Sequence, residues 1–445
     1  MLPGASTRRR APSPHRARSV MTSTVLRDET LRQIEQIGRA DLLVGIPSYN
    51  NARTIAHVVR AVKGGLAKYY PDRTAVLVNS DGGSVDGTRD IVQQTSLGPV
   101  RTILVSGSPR PVEKVVTTYQ GIPGKGSAFR TVFEIAVRLD AKACMVVDSD
   151  LRSITPEWVH LLLGPVLEEG FDYVCPLYAR HKYDGTITNS IVYPLVRAMY
   201  GRRIRQPIGG DFGFSGRLAS HYLGFDVWDG AVARFGIDIW MTTTALVGGF
   251  PVCQSYLGAK IHDAKDPGAD LTAMLVQVTG ALFRQLERDA PLWMTTTGSE
   301  PVPGFGFEYE VGLEPVSVNV ARLVAQFERG FHELGGLYGQ FLAPATRRDL
   351  TALLGQEAGA FSMPADLWLH VVYEYVAAYA SGRLHPDHLL PSLTPLYLGR
   401  TASWVNEAAG YTAPDVESAL NTLCQRFEEE KGYLIDRWPG RKETS

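Results

Sequence analysis

No stretch of this sequence approaches the about eighteen apolar residues that a membrane-spanning helix needs. The longest apolar runs, around 143–147 and 191–200, are strand-sized or interrupted by Arg197. Charge of one sign is not in excess either. Forty-five Lys+Arg against 46 Asp+Glu give a formal net charge of −1, which argues against a dedicated nucleic-acid binder. Cysteine is scarce. Cys144, Cys175, Cys253 and Cys424 form no CxxC pair, and three of them lie in apolar, strand-like runs. They read as buried, reduced thiols of a cytoplasmic protein, with zinc or disulfide roles as the lesser alternative. The first twenty residues carry Arg8, Arg9, Arg10, Arg16 and Arg18 and no acidic residue. They lack the apolar centre of a secretory signal. Residues 1–27 read as a disordered basic arm, with a start at Met21 or a basic transit peptide as alternatives.

What is present is ordinary globular material. The 445 residues are 44% hydrophobic and 20% charged, long enough for two or three domains with a large core. From residue 41 short β-type runs (42–48, 75–81, 101–106, 143–148, 173–178 and 251–257) alternate with helical patterns (54–68, 85–94, 127–139 and 156–167). Such alternation predicts an α/β fold with a Rossmann-like, mostly parallel sheet. Ligands of such sheets bind outside the carboxyl ends of the strands, and polar clusters sit there at 47–51, 81–84 and 148–150. A Gly- and Pro-rich stretch at 301–315 marks a boundary. Beyond it Val320, Leu323, Val324, Phe327, Phe331 and Leu334 recur at helical spacing, as do patterns at 367–378 and 416–434. The expected layout is an α/β domain at 41–300, a linker at 301–316 and an all-α carboxyl-terminal domain at 317–438. Trp368, Tyr373, Tyr375 and Trp404 of that domain read as core or dimer contacts rather than a ligand box.

Several side chains carry chemistry. Asp148-Ser149-Asp150 follows a buried strand, so its two carboxylates can converge on one cation, and oxygen donors of this kind suit Mg²⁺ or Mn²⁺. Lys125, in Gly124-Lys125-Gly126 before a helix, lacks the Ser or Thr of a P-loop. It offers backbone N–H groups and a cation to an anion, or else is a solvated lysine on a turn. Asp81 ends a strand and can accept from a nucleobase or ribose, while Ser84 or Asp86 can cap the next helix. His262 alone is an ordinary surface or core residue. Asp238 alone is a helix N-terminal charge.

Taken in order, Pro47-Ser48-Tyr49-Asn50-Asn51, Asp81-Gly82-Gly83-Ser84-Val85-Asp86-Gly87-Thr88, Gly124-Lys125-Gly126 and Asp148-Ser149-Asp150 resemble the GT-A nucleotide-sugar glycosyltransferases. Gln206-Pro207-Ile208-Gly209-Gly210, Phe235-Gly236-Ile237-Asp238 and Lys260-Ile261-His262 narrow this. They resemble the retaining enzymes that make compatible solutes: the mannosylglycerate, glucosylglycerate and glucosyl-3-phosphoglycerate synthases. The resemblance covers roughly 41–290.

It implies a GT-A catalytic domain that moves glucose or mannose from a nucleotide diphosphate sugar (UDP-glucose or GDP-mannose) to D-glycerate, with retention. In the donor site Pro47, Tyr49, Asn51 and Asp81 would hold the nucleoside, Lys125 the diphosphate or base edge, and Asp148 the ribose or sugar. Asp238 would hold the hexose hydroxyls, Gly209 and Gly210 would admit the sugar, and Lys260 would complete the set. Asp150 and His262 would bind Mg²⁺ or Mn²⁺. Arg180 and Thr188, with Gly210, would take the acceptor. Asp238, Lys125 and Arg180 are the implied catalytic set. Relatives that use 3-phosphoglycerate carry an Arg two positions before the Thr, where this chain has Thr186, so D-glycerate is favoured over 3-phosphoglycerate. His181 and Lys182 are possible substitutes for that Arg. Asn51 stands where those relatives have Glu, and Gly82 replaces the second Asp of the family-two Asp-Asp pair. The rivals are a glucosyl-3-phosphoglycerate synthase, an inverting family-two transferase and a non-catalytic sugar-nucleotide binder. A homodimer, with neither nucleic acid nor membrane as partner, is also expected.

Overall fold

The computed structural model describes residues 24–96, 110–261, 271–308, 313 and 316–440. In the first half the chain runs α1 (Asp28–Ile37), β1 (Leu42–Ser48), α2 (Ile55–Tyr69), β2 (Ala75–Asp81), α3 (Thr88–Gln94), β3 (Glu113–Thr118), α4 (Lys125–Arg138), β4 (Ala143–Val146), α5 (Glu157–Glu168) and β5 (Tyr173–Ala179). A π-helical turn, Thr188–Val192, leads into α6 (Tyr193–Tyr200). Then follow β6 (Arg202–Arg203), β7 (Phe212–Ser215), α7 (Gly216–Leu223), α8 (Ile237–Val247), β8 (Val252–Ala259), α9 (Leu271–Arg288), α10 (Ala290–Trp293), β9 (Glu300–Pro301) and β10 (Gly304–Phe305). Seven helices finish the chain: α11 (Val320–Glu333), α12 (Gly335–Tyr338), α13 (Pro344–Thr351), α14 (Ala365–Ser381), α15 (Pro386–Glu407), α16 (Ala413–Glu429) and α17 (Lys431–Asp436).

The eight-stranded sheet has the order β10-β8-β5-β7-β4-β1-β2-β3. All its pairings are parallel except those of β7, which runs antiparallel between β4 and β5. β1 and β2 are buried at every residue, as central parallel strands with helices on both faces must be. One face packs Phe129, Phe133, Tyr222 and Trp240; the other packs Val58, Val62, Trp158 and Leu162. This is the mostly parallel α/β arrangement expected, with a helical carboxyl-terminal region. β1 and β2 end in register at Ser48 and Asp81. That brings their loops together at one edge of the sheet with the turn after β4.

Three boundaries differ from expectation. Thr24–Arg27, assigned to the arm, are packed instead. The Thr24 hydroxyl donates to Glu134 Oε1 at 2.5 Å, the Val25 N–H donates to Oε2 at 3.0 Å, and Leu26 is buried. Residues 300–305, assigned largely to the linker, add strands. β9 pairs with β6 and β10 with β8, and Phe305 packs edge-on against Phe171. The Gly and Pro content there reflects short edge strands. Third, the apolar cluster of the helical region is continuous with the α/β region. Ile191, Leu195, Leu282 and Trp293 share it with Leu323, Trp368, Tyr397 and Phe427. The β-run at 101–106 lies outside the described residues. The expected alternation omitted β3 and β7.

Candidate active site

Lys125 opens α4, and its ammonium lies 2.8 Å from Asp148 Oδ1, 3.4 Å from Asp238 Oδ1 and 3.2 Å from the Gly210 carbonyl. Lys260, at the end of β8, donates to Asp148 Oδ2, Asp211 Oδ2 and the Gly209 carbonyl, each at 2.8 Å. Asp211 Oδ1 accepts the Asp148 N–H at 2.7 Å, and the Tyr178 hydroxyl donates to Asp211 Oδ2. The predicted Lys125, Asp148, Gly209, Gly210, Asp238 and Lys260 are thus brought into one buried lattice.

Asp211 is the member that sequence reasoning missed. It is fully buried and ties β4, β5 and β8 together. Its position directly before the alternating Phe212 and Phe214 of a strand was the available signal. Gly210 has φ +90°, and a Cβ there would stand 2.4 Å from Asp148 Oδ2 and 2.9 Å from Lys260 Nζ, so only glycine fits.

The charges are unequal. Burial alone would lower the Lys125 pKa, but Asp148 and Asp238 outweigh it and raise it. Burial likewise opposes ionisation of Asp148, yet Lys125 and Lys260 hold its carboxyl well below the usual range. Burial pushes Asp238 up, against Lys125. Among the described residues Asp238 Oδ1 is buried and accepts no hydrogen bond. Its cationic neighbour is Lys125 Nζ at 3.4 Å, and a buried acceptor left without a hydrogen bond is costly.

These contacts bear on three expectations. Both Asp148 oxygens are paired with lysines, whereas Asp150 has no such partner among the described residues. Lys125 faces two carboxylates and a carbonyl and is not a solvated lysine on a turn. The glycines flanking it are not an anion cradle. The Gly126 N–H donates to the Arg234 carbonyl at 3.2 Å and the Gly124 N–H to the Tyr119 hydroxyl at 2.9 Å; a Cβ at 126 would meet the Val232 carbonyl at 1.8 Å. They serve close packing of 231–234 on α4.

The expected nucleoside residues build loops. Asp81, fully buried, accepts from Ser48 Oγ at 2.8 Å, Ser84 Oγ at 2.6 Å, and the Gly83 and Ser84 N–H groups at 2.8 and 2.7 Å. Those four donors saturate its carboxylate, so Asp81 shapes the 82–84 turn. Asn51 Oδ1 accepts from Tyr49 N–H and Ser149 Oγ, bracing the β1 loop against the turn after β4. Pro47 is buried in β1, while the Tyr49 ring is 63% exposed.

Asp150 makes no hydrogen bond or ion pair among the described residues. His262 lies outside them, and among the described residues no three-ligand metal cluster forms. The chain does bring residue 261 to this turn. The Arg152 N–H donates to the Ile261 carbonyl at 2.8 Å, and the Ile261 N–H to Ser153 Oγ at 2.9 Å. Three carboxylates (148, 211, 238) face two ammonium groups, Lys125 and Lys260, and Asp150 follows Asp148 in the same turn. That excess of negative charge, with Asp150 unpaired, suits a divalent cation.

Arg180 and Thr188 line one pocket with Tyr178, Asn189, Arg205 and Gln206. Arg180 Nη1 donates to Asp184 at 3.2 Å. Its Nε is buried with no partner among the described residues. Thr186 faces away, with its hydroxyl 2.5 Å from that of Tyr397. Lys182 donates to the carbonyls of Ala409 and Tyr411 at 2.7 and 3.3 Å. The helical region therefore holds the loop after β5.

The family described as Glycosyl transferase family 2 matches residues 43–219. Over 267 residues the chain is 26% identical to glucosyl-3-phosphoglycerate synthase of Petrotoga mobilis, covering 57% of this chain and 75% of that one. Glucosyl-3-phosphoglycerate synthase of Mycobacterium tuberculosis, solved with Mn²⁺, UDP-glucose and phosphoglyceric acid, is 23% identical. It covers 57% of this chain and 82% of its own, with a TM-score of 0.41. The same enzyme with Mg²⁺ and UDP gives 21%, 57%, 83% and 0.42. Residues 43–219 are thus similar to the family 2 glycosyl transferases. The curated relative it resembles is a glucosyl-3-phosphoglycerate synthase.

Proposed function

We propose that the chain is a metal-dependent hexosyltransferase that moves glucose or mannose from UDP-glucose or GDP-mannose to D-glycerate with retention of the α configuration. The observation that carries this reading is Tyr178. Its hydroxyl donates to Asp211 of the buried lattice, and its ring lies 5.2 Å from Lys260 Nζ and 5.4 Å from the Arg180 guanidinium. One side chain therefore walls both the lattice and the Arg180 pocket, as adjacent donor and acceptor sites require.

In this reading Asp238 accepts hydroxyls of the hexose, and Lys125 is a positioning residue that holds Asp148 and Asp238. Arg180 and Thr188 take the carboxylate of the acceptor, for which a guanidinium with a free buried N–H is well suited. Asp150 with His262 would hold Mg²⁺ or Mn²⁺, which when bound neutralises charge on the diphosphate. The sugar–diphosphate bond breaks and the glycerate 2-oxygen attacks from the same face. Its proton passes to the departing diphosphate oxygen. Thr186, turned to Tyr397, offers no cation for a phosphate, which favours free glycerate; Lys182, whose ammonium donates to backbone carbonyls, and His181 still line the pocket. A second reading, 3-phosphoglycerate as acceptor, is favoured by the name of the Petrotoga mobilis relative. Four free, buried thiols suit a reducing compartment, so a cytoplasmic location belongs to this reading. A homodimer draws no support from Trp368, Tyr373 and Tyr375, which are buried within the chain.

Purified chain assayed with UDP-glucose or GDP-mannose and each acceptor separately is expected to turn over D-glycerate, to stop on chelation and to resume with Mn²⁺ or Mg²⁺. An α-linked product by NMR completes the test. Turnover of neither acceptor, or a β-linked product, would overturn the reading.

Asp238 adds a pH signature. Its raised pKa means that it takes up a proton at a higher pH than an ordinary aspartic acid, and the hexose needs the ionised form. The donor kcat/KM should fall on acidification through a value above the usual carboxylate range. Asp238→Asn should lose that limb and about a hundredfold in rate. The shift also means that the folded state holds this proton more tightly than the unfolded chain. Its stabilising contribution is therefore full below the unfolded pKa and lost as pH rises through the folded one. An acid limb unchanged in Asp238→Asn would exclude this role.

A further inference from the structure

The pocket around Arg180 and Thr188 is completed by the carboxyl-terminal helices, since Val416 and Glu417 of α16 also line it. Opposite Glu417 stands Arg205, from the loop between β6 and β7. The two are paired fork to fork, with Nε 3.0 Å from Oε2 and Nη2 2.9 Å from Oε1. The remaining Nη1 donates to Asn189 Oδ1 at 2.8 Å, and the guanidinium lies 5.4 Å from the centre of the Tyr193 ring. The Arg205 side chain is 15% exposed and that of Glu417 60%. The arginine is fixed in the wall, while the carboxylate sits at the solvent side. Two guanidinium groups thus face one pocket, which His181 and Lys182 also line; the Lys182 ammonium is held by the carbonyls of Ala409 and Tyr411. Arg180 keeps a buried N–H with no partner among the described residues; the fork of Arg205 is filled.

From this geometry we infer that Glu417 sets the charge of the acceptor. A hydroxy acid with one carboxylate needs one cation, and Arg180 supplies it. An acceptor that also carries a phosphate needs a second. It would reach the Arg205 fork only by displacing Glu417, and with Glu417 in place it meets like charge. A carboxylate that rejects the wrong ligand by repulsion discriminates without adding a contact to the right one. This device comes from the helical region, far along the chain from the loop it governs. The inference rests on the reading of this pocket as the acceptor site. It adds that the choice between a phosphorylated and an unphosphorylated acceptor is made by one ion pair.

Glu417→Gln keeps the size of the side chain and removes its charge. An ion pair this exposed contributes little to folding, so the variant should fold, and Glu417→Ala provides a second one. Calorimetry on the full chain with UDP and Mn²⁺ would measure dissociation constants for D-glycerate and 3-phosphoglycerate separately. Both variants should bind 3-phosphoglycerate at least tenfold more tightly than the wild type, and Arg205→Gln added to Glu417→Gln should cancel the gain. Arg202→Gln, which breaks an ion pair with Glu300 outside the pocket, should give no gain. If both Glu417 variants leave the 3-phosphoglycerate constant unchanged, the inference falls, whether or not the wild type glycosylates glycerate. If they gain as expected while the wild type binds no glycerate, the glycerate reading falls and the inference stands.

Discussion

Lys125→Met should reduce kcat/KM by about a thousandfold, the order seen when a buried polar group that organises a reacting centre is lost. The side chains of Lys125, Asp148 and Asp238 are 14%, 23% and 10% exposed, so the field between them is only partly screened by water. Removing the ammonium leaves Asp148 held by Lys260 alone and Asp238 without a cation at 3.4 Å. An uncompensated buried charge costs about 3–5 kcal/mol, so a fall in Tm should accompany the loss of activity. The two effects can be separated. Lys125→Met combined with Asp238→Asn removes one charge of each sign and should recover most of the lost stability but none of the turnover. Denaturant melts and initial rates on the single and double variants provide the measurement. A single variant that keeps half of the wild-type rate would show that the lattice has no part in transfer.

Cutting the chain after Arg288 should have the second large effect: the remaining 288 residues should fail to accumulate as a soluble, cooperatively unfolding protein. The reason is the apolar cluster that crosses the expected boundary. Trp368, Tyr373 and Tyr375 are fully buried, and Tyr397 nearly so. They pack on a face that includes Leu195, Leu275 and Leu282. Each large side chain buried there contributes about 1.5–3 kcal/mol, and truncation exposes the other half of each contact. Polar ties are lost as well. The Trp368 indole donates to the Ser190 carbonyl at 2.8 Å. The buried ammonium of Lys431 donates to the carbonyls of Ala198 at 3.1 Å and Trp293 at 2.9 Å. The Trp404 indole donates to the Lys182 carbonyl at 2.7 Å, so the loop carrying Arg180 loses its backing too. Soluble yield, circular dichroism and a thermal melt would decide. A soluble truncated chain with a sharp transition would mean that the α/β region stands alone.

The strands next to the site were legible because their signal is local. The runs 42–48 and 75–81 are β1 and β2 to the residue, since strands buried on both faces read as near-continuous apolar runs and turn polar only at their carboxyl ends, at Ser48 and at Asn79-Ser80-Asp81. β3 escaped notice because its burial alternates and its residues include Glu113 and Lys114, as befits an edge. β7 escaped because its four residues are shorter than any useful period. Asp238, Asp148, Lys125 and Lys260 were found as motifs, but how they pair was not, and Asp211 was missed. Asp211 meets Lys260 across 49 residues of sequence and Tyr178 across 33. Nothing in a linear pattern announces such a pairing.

The amino-acid order alone therefore determined the layering of the sheet, the edge at which polar loops collect and the family of chemistry those loops resemble, because periodicity and turn residues act over a few positions. Folding decided which carboxylates are spent on lysines and which are left free. It also turned a helical region of no evident chemistry into the support of the Arg180 loop. Those outcomes depend on distances in space between groups remote along the chain, and burial makes each such distance count for more than it would in water.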